Sequence, residues 1–351
     1  MFEQRKLEHL GIEVLDRVED EKVISFVDEV STKIKITFPE SNINFLDIYK
    51  TLLDTPMYYA KIPQGLSEAN YYYENSSLYF SEDIDLKNIS EYVYHECIHK
   101  LQERKDKKGK IVRLGVCEVN ELSVKATALN EGAVQYIVTK ILDYPAKMAI
   151  VYDVELPIRT TYYPFLTNII AQLAFLLDES ILIDSTINGN ENFKIEIIDT
   201  LGESEYHTIE KNMDQIFQTK KNILELQNNS EMSTNNYDKI KENTDLIKNL
   251  YINTQNIIYT AYFDKMLKRT ENDIEVNMLR KKLYSYRSFT GTIQGYNDFN
   301  MYCLDFEKKS RQKQEEFKNK KALMVINDNI VFRIFRKLKG LFKNSTNEYY
   351  K

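Results

Sequence analysis

The run His95-Glu96-Cys97-Ile98-His99 is an H-E-x-x-H pattern in a chain that has only four histidines. On a helix, about 100° per residue puts His95 and His99 one turn apart on one face, so both imidazoles can converge on one ion. Glu96, rotated by one residue, misses the ion but reaches a water beside it. Zn2+ lowers the pKa of such a water to about 7, and a carboxylate can take its proton. His95 and His99 are thus candidate Zn2+ ligands and Glu96 the candidate general base. The plainer alternative is a pair of ordinary surface or core histidines. Val93, Cys97 and Leu101 fall on the opposite face, where they would anchor the helix, and Cys97 reads as a small buried apolar residue.

A catalytic zinc site needs a third protein ligand and one open position. The one later histidine, His207, does not stand at a ligand spacing, so a carboxylate must serve. Downstream stands Leu129-Asn130-Glu131-Gly132-Ala133. With these residues the chain resembles the gluzincin metallopeptidases, in which H-E-x-x-H on one helix is joined by a glutamate from a second helix, often within N-E-G or N-E-A. The resemblance covers residues 70–180. It implies His95 and His99 as zinc ligands, Glu96 as base and Glu131 as third ligand. The gap from His99 to Glu131 is longer than in the family's best-known branches, and a hairpin within Lys105–Val119 would account for it. Glu118 stands at the shorter spacing and is the alternative ligand, although Val116-Cys117-Glu118-Val119 reads as strand; Glu121 is a third candidate. The family also uses an edge strand beside the active-site helix, for which Ser77–Ser81 is a candidate, an interior strand of the small sheet being the equal alternative, and a His or Tyr donor to the oxyanion, for which Tyr162 and Tyr163 are the first candidates and His207 another.

The elements that must hold these residues follow from local pattern. Residues 1–34 read as one or two amphipathic helices, and Lys33–Phe38 alternates strictly, as a strand does. Asn70–Ser81 reads as strand material with a turn near Asn75. A helix from Asn88 to about Asp106 would start on Asn88 as N-cap with Glu91 in capping-box position. Lys110–Val119 is β-rich, and helices follow over about Glu121–Leu142 and Tyr163–Asp178. Gly132, with Ala126, Ala128 and Ala133, would make the second helix thin enough to approach the first. Beyond Tyr206 the pattern is helical. The fold class expected is α+β and mainly helical: a zincin-like core with a small sheet and an active-site helix pair over 1–205, a helical region over 206–330 with an exposed loop near 227–236, and a basic amphipathic tail over 331–351.

Composition narrows the classes. Ten Gly and six Pro exclude a turn-rich all-β chain, and three cysteines cannot build a disulfide framework. The charged N-terminus without an apolar stretch reads as a cytoplasmic protein without a secretory signal. Net charge is −6, yet 308–343 carries twelve Lys and Arg against three acids, so the remainder is strongly acidic and unsuited to nucleic acid. Within 331–343, Val331, Ile334, Phe335, Leu338, Leu341 and Phe342 recur at helical spacing opposite an all-basic face. That is the composition of an interfacial helix, giving peripheral membrane contact, or of a last helix packed on the acidic body. The function expected is a zinc metallopeptidase acting on polypeptide. The alternatives are a zinc hydrolase of a non-peptide bond and a helical scaffold with a vestigial metal site.

Overall fold

The structure is a computed structural model. It describes residues 7, 11–39, 41–63, 67–119, 124–228, 234–290 and 296–345, without the side chains at 124, 234–235, 296, 324–330, 332 and 337–345. Strand β1 (Glu13–Arg17), helices α1 (Asp20–Thr37) and α2 (Phe45–Leu53), and strands β2 (Met57–Lys61), β3 (Ala69–Tyr72) and β4 (Ser77–Ser81) precede helix α3 (Glu91–Leu101). Strands β5 (Glu103–Lys105), β6 (Ile111–Leu114), β7 (Cys117–Val119) and β8 (Val124–Lys125) separate α3 from α4 (Thr127–Leu142). The hairpin β9 (Lys147–Val151) and β10 (Val154–Ile158) leads to α5 (Pro164–Leu176), α6 (Glu179–Asn188), α7 (Asn192–Thr200) and α8 (Glu203–Asn228). Long helices α9 (Thr234–Arg269), α10 (Asp273–Thr290) and α11 (Tyr296–Ser345) follow. The fold is α+β and mainly helical.

The chain divides into two compact units, Met1–Tyr262 with Tyr286–Gly295, and Phe263–Ser285 with Tyr296–Lys351. The first holds a sheet of order β1-β2-β4-β3, in which β2 and β4 are parallel and the other pairs antiparallel. Its core joins Phe26, Val30 and Ile34 of α1, Leu78 and Phe80 of β4, Val93, Cys97 and Leu101 of α3, and Val134, Ile137 and Ile141 of α4. Helix α4 is buried on nearly every side, its buried polar residues Asn130 and Gln135 included. The insertion between α3 and α4 is the antiparallel meander β5-β6-β7-β8. In the second unit Phe263 meets Phe306 edge-on, and Arg280 pairs with Glu307.

Several local expectations change. Residues 1–34 are not helical throughout, since β1 occupies Glu13–Arg17, and the helix expected to run to Asp106 ends at Leu101, with β5 at Glu103–Lys105. Lys33–Phe38 is not a strand: α1 continues to Thr37, because Phe26, Val30, Ile34 and Phe38 bury at a four-residue spacing that outweighs a short alternation. The cap of α3 is Ser90, whose hydroxyl accepts from Val93 N at 3.5 Å, while Asn88 closes a turn onto Asp85. Strand β4 lies inside the sheet, and β3 is the edge. Gly132 makes room for α5 and not for α3: a Cβ there would stand 2.9 Å from both Leu166 O and Ile170 Cγ1. Of the loop expected near 227–236, residues 229–233 lie outside the described residues; α8 ends at Asn228 and α9 begins at Thr234. Along α11 the described side chains Val331, Ile334 and Phe335 are exposed. No helix among the described residues is long and apolar enough to cross a membrane.

Candidate metal centre

Helices α3 and α4 bring His95, His99 and Glu131 together. His95 Nε2 and His99 Nε2 are 3.0 Å apart. Glu131 Oε2 lies 3.1 Å from His95 Nε2, and Oε1 lies 3.6 Å from His99 Nε2. Ligand atoms held tetrahedrally at about 2.0–2.1 Å from one ion stand about 3.3 Å from each other, so this spacing matches a shared ion. These residues form the one group of at least three metal-ligating side chains found among the described residues.

The hydrogen bonds around the imidazoles fix which nitrogen faces inward. His95 Nδ1 lies 2.8 Å from the amide oxygen of Gln135, one turn beyond Glu131 on α4. Gln135 Nε2 in turn donates to Glu91 Oε2 at 3.0 Å and to Thr160 Oγ1 at 2.8 Å. His99 Nδ1 lies 3.1 Å from Gln102 Oε1, and Gln102 and Asn130 exchange two amide hydrogen bonds of 3.1 Å. With its amide groups already donating elsewhere, each glutamine presents an oxygen, so each Nδ1 carries the proton and each Nε2 a lone pair. Two lone pairs and a carboxylate then face one another in a nearly closed site. Such a donor set could hold a cation, and its ligand type and count are ones Zn2+ accepts. Without an ion a proton fills the need: burial alone would lower His99, but the Glu131 carboxylate outweighs it and pushes the imidazole up to about 9. Burial works against an ionised Glu131, and the charge of His99 and the bond from His95 reverse this, holding the carboxyl well below its usual range.

Glu96 points to the same centre from the next position on α3. Its Oε2 accepts from Tyr71 N on edge strand β3 at 2.7 Å. Burial pushes its carboxyl up to about 7, against the two histidines.

Tyr162 and Tyr163 stand over His95, with ring centroids 4.9 and 5.8 Å from the imidazole. The loop carrying them is tied to the start of α3, because Thr161 N donates to Glu91 Oε2 at 3.1 Å and its hydroxyl to Oε1 at 2.5 Å. Tyr163 adopts a left-handed φ of 49° as it leads into Pro164 at the head of α5, a conformation a bulky residue holds only when its surroundings impose it. Burial pushes both phenols up, so both keep their protons.

The other candidates lie elsewhere. Glu118, on β7, accepts from Lys194 at 2.8 Å and is not in the group. Glu121 lies outside the described residues. His207 is exposed on α8 and pairs with Glu210. Asn130 holds a loop and a histidine: its Oδ1 accepts from Val116 N at 3.2 Å, and it positions His99 through Gln102. Gln135 and Gln102 were not singled out in the sequence, and Glu91 was named there only as a capping residue, although Gln135 sits one turn after Glu131 and Gln102 nearly one turn after His99. A cavity of about 190 Å3 between Tyr136, Arg159 and Pro164 borders this network only through Thr160.

Compared with protein-family models, curated proteins and solved structures, the chain matches none of them.

Proposed function

We propose that the chain is a zinc-dependent metallopeptidase of gluzincin type. The observation that carries this reading is the convergence of His95 Nε2, His99 Nε2 and Glu131, with Glu96 beside them and both Nδ1 protons committed to glutamine oxygens. Zinc held there would supply a Lewis acid that polarises the scissile carbonyl and acidifies a water. Glu96 would be the base that accepts a proton from the attacking water and returns it to the leaving amine. The Tyr71 N–H holds one oxygen of Glu96 and leaves the other free to carry the proton. The phenol of Tyr162 or Tyr163 donates to the oxyanion. Peptide as the substrate is supported by β3, an edge strand beside α3, because an extended chain can pair with such an edge at positions other than the Tyr71 N–H, which serves Glu96. The test is hydrolysis of unfolded casein by the zinc-loaded chain. Glu96→Gln should abolish cleavage while zinc stays bound; full activity in that variant, or loss of its zinc, would refute the assigned role.

A further inference from the structure

Lys220 on α8 reaches into the same site from a part of the chain far from both metal-binding helices. Its ammonium lies 4.6 Å from the ring centroid of Tyr163 and 5.6 Å from that of Tyr162. The Tyr162 ring also touches the His95 imidazole, so a single ring separates the Lys220 charge from a metal-ligating group. Phe217, one turn before Lys220, packs on Tyr163 and sets this face of α8 against the tyrosines.

The ammonium is half-buried and has no carboxylate within ion-pair distance among the described residues. Other lysines near this region are paired: Lys100 with Glu103, Lys194 with Glu118 and Lys140 with Glu179. A half-buried charge without a counter-ion is costly. Two aromatic faces offset part of that cost, and Glu131 attracts the ammonium from a distance against the desolvation that lowers its pKa. A dication bound by His95, His99 and Glu131 would leave that centre with a net positive charge, so Lys220 would stand beside it without an anionic partner until a substrate supplied one.

We infer that Lys220 is a specificity-determining residue that binds a carboxylate of the peptide substrate close to the scissile bond. The inference rests on the metallopeptidase reading. Carboxylates occur in a peptide at its free C-terminus and on Asp or Glu side chains, and the two sources predict different cleavage positions: at a chain end, or within an acidic sequence.

The experiment uses hydroxamate dipeptides, which anchor on zinc whatever their side chains. Three forms are titrated calorimetrically into the zinc-loaded full-length chain: a neutral C-terminal amide, the same compound with a free C-terminal carboxylate, and the amide with a glutamate side chain. Binding of the neutral form reports the metal centre alone. One or both carboxylate forms should bind about tenfold tighter or more, as expected for a charge-assisted bond in a partly dry site. Lys220→Gln should bring them to the level of the neutral form with zinc content unchanged. A preference for the free C-terminus assigns Lys220 to the chain end, and one for glutamate to an internal acidic residue. If the wild-type chain does not distinguish the carboxylates from the amide, the Lys220 inference falls while the metal reading stands, and this comparison needs no variant. A preference that survives Lys220→Gln overturns it too. If none of the three binds, the metal reading and the inference fall together.

Discussion

The amide oxygen of Gln135 lies 2.8 Å from Nδ1 of His95 and turns the opposite ring nitrogen toward His99 and Glu131. A single helix, α4, thus supplies both a ligand and, one turn later, the group that orients another ligand. Gln135→Leu should lower zinc affinity by about 10–100-fold with the fold retained, the range typical for loss of a group that orients a metal-binding histidine. Competition with a zinc-binding dye measures this. An unchanged affinity would show that His95 is oriented by packing alone.

The two glutamates raised as third ligand make different predictions. Glu131→Ala should strip the site of zinc or reduce its occupancy sharply. Glu118→Ala should leave zinc in place and cost about 1 kcal/mol or less, since it only breaks a partly exposed ion pair with Lys194. Zinc content and a urea midpoint for each variant separate the two.

Gly132 is a packing residue between α4 and α5. Alanine there gains about 1 kcal/mol of helix propensity, but its methyl would crowd the Leu166 carbonyl and Ile170 at 2.9 Å. Overpacking of this kind costs about 1–3 kcal/mol, so Gly132→Ala should be net destabilising, and Gly132→Val more so. A chemical-denaturation midpoint equal to or above wild type for Gly132→Ala would show that α5 can yield.

What the sequence disclosed of the site was local. His95, Glu96 and His99 share one helical turn, so spacing alone placed them, and Asn130-Glu131-Gly132 are contiguous. Gln135 and Gln102 could have been found by the same one-turn arithmetic. Lys220 could not, because only the packing of α8 on the Tyr162–Tyr163 loop brings it there. The strand expected at Lys33–Phe38 failed because a few alternating residues weigh less than the burial period of the whole helix α1. The role expected of Gly132 failed because a glycine announces a close approach without naming the neighbour.

The tail yields a prediction about surfaces. Val331, Ile334 and Phe335 are exposed on α11 together with Arg333 and Arg336, side chains that an interfacial helix would set against a lipid surface. The full-length chain should sediment with vesicles containing anionic lipid, less so as salt screens the basic side chains, and deletion of 331–351 should abolish sedimentation while leaving casein hydrolysis intact. A chain that stays in the supernatant at low salt would rule out membrane contact through this segment.

The central claim is that His95, His99 and Glu131 hold a single catalytic ion. Elemental analysis of the purified full-length chain tests it most directly. Zinc should be found at about one ion per chain, the count that one three-ligand site can hold. It should be retained in Glu96→Gln and lost in His99→Ala. A wild-type chain that neither contains zinc nor takes it up, or a His99→Ala variant that keeps the full amount, would contradict the claim.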